Sequence, residues 1–166
     1  IVVKQGTRNV RGKLFIYFWK RMLSPALSQV VDTQCGFKGF RASMVKEVVE
    51  DCLEYGFAFD VELLLRSELQ NPNGIAKSAI AWIDSEAEST TTALSPYLNM
   101  LKSIAAMSRK YLPAQESGNA FAHLVESLDE ENWNCLVDRT PSAIANGDPL
   151  TFENFSGVSA DDLRAL

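Results

Sequence analysis

Four polar side chains lie in two short, mostly apolar segments, where they could bind a ligand or move a proton. Asp32 and Gln34 belong to the sequence DTQCGFKGF, in which a glycine turn lets backbone and carboxylate approach a ligand closely. Asp60 and Glu62 belong to FAFDVELLL, where Asp60 stands at a predicted helix start and the helix dipole stabilises its charge. Because Asp60 and Glu62 are two residues apart, they do not share a helical face, so one could act in chemistry while the other braces the site. The alternative is that Asp60 only caps the helix.

The cysteines and the histidine are weaker candidates. The chain has three cysteines and one histidine, and Cys35, Cys52 and Cys135 show none of the close spacings of a zinc site. Cys35 lies in the DTQCGFKGF segment, but no neighbouring histidine could activate it as a nucleophile. His123 lies beside apolar residues of a predicted helix, which is typical of packing. Unpaired thiols are typical of a cytoplasmic protein.

The pattern of apolar residues predicts the elements that must position these side chains. Spacings of three and four residues predict helices at 13–23, 42–54, 61–69, 94–111, 119–128, 130–138, 141–146 and 160–165. Short apolar or alternating runs predict strands at 1–4, 37–40 and 78–84. The stretch 113–118 is predicted to link residues 1–112 to an acidic helical tail at 119–166. Since the chain opens on a strand-like run without methionine, we expect it to be a fragment of a longer protein.

The charge of the chain is unevenly distributed. A net charge of −5 excludes a generally basic nucleic-acid binder. Residues 1–48 nevertheless carry nine basic and two acidic side chains, a net charge of +7, so this part could face phosphates. The predicted helix 13–23 combines aromatic residues with three cations, which would suit peripheral contact with a membrane surface, although core packing is the favoured explanation of its aromatic face.

The two motifs together carry a resemblance to a known family. DTQCGFKGF, followed roughly twenty residues later by FAFDVELL, resembles the second half of family 2 glycosyltransferases, and most closely the dolichyl-phosphate glucosyl- and mannosyltransferases and their bacterial relatives. The resemblance covers residues 1–112 and implies an α/β fold, the C-terminal half of a GT-A (Rossmann-like) domain, here with the helical appendage 119–166. The family's Asp-x-Asp motif is absent from the sequence. The nucleotide-binding half is therefore expected upstream, and the chain alone is expected to be inactive.

The resemblance also implies roles for individual residues. Asp60 would be the general base of an inverting hexose transfer, while Asp32 and Gln34 would line the sugar and acceptor site, together with Glu62 as a further substrate-binding residue. Arg8 or Arg11 would lie near the diphosphate of a UDP- or GDP-hexose donor. A divalent cation, Mg²⁺ or Mn²⁺, would be held mainly by the upstream half. A polyprenyl phosphate is among the acceptors that the resemblance allows, which would place the enzyme at the cytoplasmic face of a membrane.

Two alternatives remain open from the sequence. The chain could be a non-catalytic helical interaction module derived from a truncated glycosyltransferase. The acidic tail could pack on the catalytic part, cover a site or form a homodimer contact, and its sequence does not favour one of these roles.

Overall fold

The computed structural model describes residues 6–79, 95–148, 150–152, 155–158 and 160–164, and this part of the chain is mainly helical. The bounds of its elements are α1 Gly6–Leu23, α2 Ala42–Val49, α3 Phe59–Gln70, α4 Ser95–Tyr111, α5 Glu116–Ser127, α6 Glu130–Asn146, β1 Leu150–Phe152, β2 Phe155–Val158 and α7 Ala160–Arg164. The strands β1 and β2 form an antiparallel hairpin.

Helix α1 lies at the centre of the hydrophobic core, where it packs against α4, α5 and α6. Its buried face includes Phe15, Phe18 and Trp19, which the helical spacing predicted to lie on one side. The ring centroid of Phe18 lies 6.1 Å from that of Trp133 on α6. One core therefore contains residues from both sides of the stretch 113–118.

The predicted α/β fold of the Rossmann-like GT-A type is wrong. In the described residues, the regular secondary structure is helical apart from the β1–β2 hairpin, and no parallel sheet is present. The segment 37–40, predicted as a strand, has no strand partner in the described part of the chain, and the side chain of Phe37 is exposed. A short apolar run becomes a strand only where another strand pairs with its backbone groups. The predicted strand 1–4 lies outside the described residues, as does most of 78–84.

Several helix boundaries also differ from the prediction. Helix α1 begins at Gly6, whereas the apolar pattern starts at residue 13. The two predicted helices 130–138 and 141–146 are a single helix, α6, which contains Pro141. Proline disrupts a helix by removing one backbone donor, but here its neighbours keep their bonds, and the Thr140 hydroxyl donates to the Leu136 carbonyl at 2.6 Å. The helix ends as predicted at Gly147, whose φ of 77° suits glycine.

The aromatic face of α1 packs inside the protein. Phe15 is 4% exposed and Trp19 is 1% exposed, so the spacing of these residues reflects core packing. Among the described residues, no helix is both long enough and apolar enough to cross a bilayer.

Candidate functional site

The two motif segments meet through an ion pair between Lys38 and Asp60. The Lys38 Nζ lies 3.2 Å from Asp60 Oδ2, with the lysine side chain 13% exposed and the aspartate side chain 38% exposed. Lys38 also donates a hydrogen bond to the carbonyl of Cys35, which ties the lysine to its own loop. Lys38 was not predicted as a site residue from the sequence, although its place in DTQCGFKGF with Asp32 and Gln34 was an available signal.

Asp60 is the second residue of α3, so it does not cap this helix. The cap position is occupied by Ala58, which offers no side-chain hydrogen bond. A carboxylate in the first turn interacts favourably with the positive end of the helix dipole. With more than a third of its side chain accessible, Asp60 can reach a ligand from the protein surface.

Asp32 and Gln34 form a local turn in the neighbouring loop. The backbone N–H of Gln34 donates to Asp32 Oδ1 at 2.8 Å, and both side chains are exposed. Between them, Thr33 is only 1% exposed, and its hydroxyl has no hydrogen-bond partner in the described part of the chain. Thr33 is therefore turned into the protein, while the side chains on either side of it face solvent.

Glu62 is fully buried and is held by hydrogen bonds from other parts of the chain. Its carboxylate accepts from the backbone N–H of Leu53 at 2.9 Å and from that of Glu54 at 2.7 Å. The hydroxyl of Tyr111 donates to the same carboxylate at 2.6 Å. Glu62 therefore links α3, the segment at residues 53–54 and the end of α4. Of the two roles considered for Asp60 and Glu62, it has that of the residue that braces the site. The contribution of Tyr111, forty-nine residues further on, had no sequence signal.

Helix α3 carries a second polar cluster on the side that faces α2 and α4. Arg66 Nη2 lies 3.1 Å from Asp51 Oδ2, and its guanidinium lies 5.7 Å from the centroid of the Tyr111 ring. Burial disfavours the charge of Arg66, but its hydrogen bonds to Asp51 and Tyr111 outweigh this and raise its pKa. A cavity of about 350 Å³ lies here, lined by Glu47, Val48, Arg66, Leu69, Gln70 and Tyr111. Neither Asp60 nor Lys38 lines this cavity. The cavity is therefore separate from the surface on which these two residues lie.

Burial also affects two ionisable side chains near Glu62. It raises the pKa of the Cys52 thiol, and the negative charge of Glu62 adds to the effect. Burial also raises the pKa of Tyr111, and the hydrogen bond to Glu62 raises it further. Both groups therefore keep their protons at neutral pH, and Tyr111 remains a hydrogen-bond donor.

Arg8 and Arg11 lie in the first turns of α1, in a stretch that was expected to be a loop. The side chain of Arg8 lies outside the described part. Arg11 is partly buried, and in the described part its Nε has no hydrogen-bond partner. Helix α1 packs mainly against α4, α5 and α6. No described hydrogen bond or ion pair joins Arg11 to Asp60 or to the 32–38 loop.

Carboxylates and thiols are dispersed over the described residues. No group of three or more histidine, cysteine, aspartate or glutamate side chains is placed there to hold a metal ion. The Asp60 carboxylate of the candidate site is paired with Lys38. The described residues do not form a divalent-cation site by themselves.

No protein-family model matches the chain, and no curated protein or solved structure matches it either. The resemblance to glycosyltransferases therefore rests on the two sequence motifs and on the residues they contain.

Proposed function

We propose that this chain carries the acceptor-side residues of a glycosyltransferase that moves a hexose from a UDP- or GDP-sugar to an acceptor with inversion. The observation that supports this most is the 3.2 Å ion pair between Lys38 and Asp60. It joins the two segments whose sequences resemble the family, although they are separated by helix α2. The proposal rests on these motifs and their juxtaposition rather than on the overall fold.

Asp60 is the general base in this proposal. As the acceptor oxygen attacks the anomeric carbon, its O–H bond breaks and the proton passes to the Asp60 carboxylate. The bond from the anomeric carbon to the nucleoside diphosphate breaks at the same time, and the diphosphate departs with the electron pair. Asp60 is suited to this step because its side chain is partly accessible, and Lys38 fixes its orientation. Asp32 and Gln34, which are exposed in the adjoining loop, contact the sugar or the acceptor.

Replacement of the proposed base tests the function. In the polypeptide encoded by the reading frame that contains these 166 residues, Asp60→Asn is expected to lower transfer by about 10²- to 10⁴-fold, the usual contribution of a general base. Donor affinity should stay close to that of the wild type, because Asp60 acts on the acceptor. Transfer is followed by product mass spectrometry, and donor binding by thermal shift with UDP-glucose or GDP-mannose and Mn²⁺.

Asp138→Asn is the matched control, because it removes an exposed carboxylate on α6 and should leave transfer unchanged. An Asp60→Asn protein with wild-type turnover would contradict the base role. The size of the loss also reports the acceptor class. A phosphate monoester, whose second pKa is about 6, is already ionised at neutral pH. It therefore needs a general base less than a hydroxyl acceptor does.

A second candidate function is a non-catalytic interaction module. The observation that favours it is a group of large apolar side chains exposed around the motif loops, namely Val31, Phe37, Leu53, Tyr55 and Phe57. Surface patches of this kind often mark contact sites for other proteins. The same thermal-shift experiment separates the two candidates, because only the glycosyltransferase should be stabilised by a nucleotide-sugar.

A further inference from the structure

We infer that Tyr111, at the end of α4, is a positioning residue that holds Asp60 in place through the buried carboxylate of Glu62. This inference rests on the proposed function and deepens it, because it identifies what orients the proposed base. Tyr111 itself would touch neither donor nor acceptor. Its hydroxyl donates to Glu62 Oε1 at 2.6 Å, and Glu62 lies two residues from Asp60 on α3.

Glu62 connects Tyr111 to the turn that leads into α3. Its two carboxylate oxygens accept from the backbone N–H groups of Leu53 and Glu54. The side chain of Glu54 in turn accepts from the N–H of Gly56 at 2.5 Å, and the Gly56 carbonyl accepts from the N–H of Phe59 at 3.1 Å. Since Phe59 is the first residue of α3, the turn is tied to Glu62 at its start and directly precedes Asp60 at its end.

Tyr111 is held firmly enough to act as the fixed point of this network. Its ring lies beneath two cations, with Lys110 Nζ 4.8 Å and the Arg66 guanidinium 5.7 Å from the ring centroid. Arg66 is itself paired with Asp51 at 3.1 Å. Glu62 is fully buried, and the Tyr111 hydroxyl is its only described donor besides two backbone N–H groups. Loss of this hydroxyl would leave a buried carboxyl oxygen with fewer hydrogen bonds.

The test compares Tyr111→Phe with Tyr97→Phe. Both replacements remove one hydroxyl from helix α4 and keep the ring. The Tyr97 ring packs edge-on against Phe15 at 6.0 Å, and in the described part its hydroxyl makes no hydrogen bond. Two quantities are measured in each variant: hydrogen exchange of the backbone amides from Leu53 to Glu62, and the kinetics of transfer in the full-length polypeptide.

We expect Tyr111→Phe to accelerate exchange at Leu53, Glu54 and the first turn of α3. We also expect kcat to fall by about 10- to 100-fold, the cost of misplacing a catalytic group by about 1 Å, with the donor KM unchanged. Tyr97→Phe should match the wild type in both measurements. If Tyr111 had only a structural role, its replacement would lower thermal stability but would not lower kcat selectively while the donor KM stays unchanged.

The exchange measurement does not depend on catalysis, so the inference and the proposed function fail separately. Wild-type exchange across these amides in Tyr111→Phe would overturn the positioning role whether or not the protein is active. Faster exchange with wild-type kcat would overturn it too. A wild-type protein that transfers no hexose from any donor would overturn the proposed function, while faster exchange in Tyr111→Phe would still support the link from Tyr111 to the Asp60 turn.

Discussion

The raised pKa of Tyr111 makes the stability of the protein depend on pH in the alkaline range. The pKa of Tyr111 lies above its ordinary value of 10.0, because the hydroxyl is buried and bonded to Glu62. In the folded protein the proton is therefore retained at a pH where the unfolded chain has lost it. The resulting stability is complete below the ordinary pKa and disappears as the pH rises through the folded value.

Tyr111→Phe should therefore lose less stability than the wild type on going from about pH 8 to about pH 11. The phenylalanine has no proton to release, so the difference in unfolding free energy between the two proteins narrows as the pH rises above 10.0. Urea unfolding at each pH measures this difference, and Tyr97→Phe serves as the control. A gap between wild type and Tyr111→Phe that stays constant over the whole range would contradict the raised pKa of Tyr111.

The three cysteines differ in exposure, and we expect them to differ in reactivity. Cys52 is 6% exposed with a raised pKa, whereas Cys135 is exposed and Cys35 is partly exposed. Alkylation requires an accessible thiolate. Iodoacetamide should therefore modify Cys135 first and Cys52 last, as followed by peptide mass spectrometry. Modification of Cys52 at the rate of Cys135 would be incompatible with its position between α2 and α3.

At the scale of elements, helix α6 has a cap at each end and a proline in its interior. Its first turn is capped by Asp129, whose carboxylate accepts from the N–H of Asn132 at 2.8 Å. Its last turn ends at Gly147 in the left-handed region. These caps define the two ends of the helix, but they do not account for its continuity through Pro141, because a proline inside a helix costs more than a cap contributes. The helix is continuous because Trp133, Leu136 and Ala143, on both sides of the proline, all pack in the core.

Removal of the α6 cap should destabilise the protein measurably. Asp129→Ala is expected to lower the free energy of unfolding by about 1 kcal/mol, the usual value of an N-cap. Asp138→Ala, which removes an exposed carboxylate within the same helix, should change it by less than about 0.5 kcal/mol. Chemical denaturation of the two variants gives both values. Equal effects of the two replacements would show that charge, and not the cap, determines the loss.

At the scale of the whole molecule, one hydrophobic core joins the motif-bearing part to the acidic tail. The core includes α1 and α4 together with Trp133 and Leu136 of α6. A defect in the tail should therefore weaken the entire folded unit. The division of the chain at 113–118 into a catalytic part and an appendage remains a prediction about function and origin.

Leu136→Ala tests this coupling. Leu136 is fully buried, so its truncation should lower the free energy of unfolding by about 2–5 kcal/mol. Helix content and tryptophan fluorescence should report the same single transition, since one core unfolds cooperatively. Glu131→Ala, at an exposed position of α6, is the control. Two separated transitions, with only the later residues affected, would contradict a shared core.

Most helices could be predicted from the sequence, because a helix is determined by contacts between residues three and four apart. The predicted segment 94–111 corresponds to α4, and 61–69 lies within α3. The start of α1 at Gly6 and the merging of two segments into α6 were not predictable in this way. The strand predicted at 37–40 failed for a similar reason, since a strand needs a partner and local alternation does not specify one.

The candidate site likewise has one part that the sequence predicted and another part that depends on tertiary contacts. The sequence alone identified Asp60, Asp32 and Gln34 as polar groups in apolar surroundings, and it indicated that Asp60 or Glu62 would serve as a brace. Only the tertiary structure decided that Glu62 has this role, that Lys38 pairs with Asp60, and that Tyr111 completes the network. The physical reason is sequence separation. The members of the ion pair are twenty-two residues apart in the sequence, and Tyr111 and Glu62 are forty-nine apart. Only the path of the folded chain brings such residues within hydrogen-bonding distance.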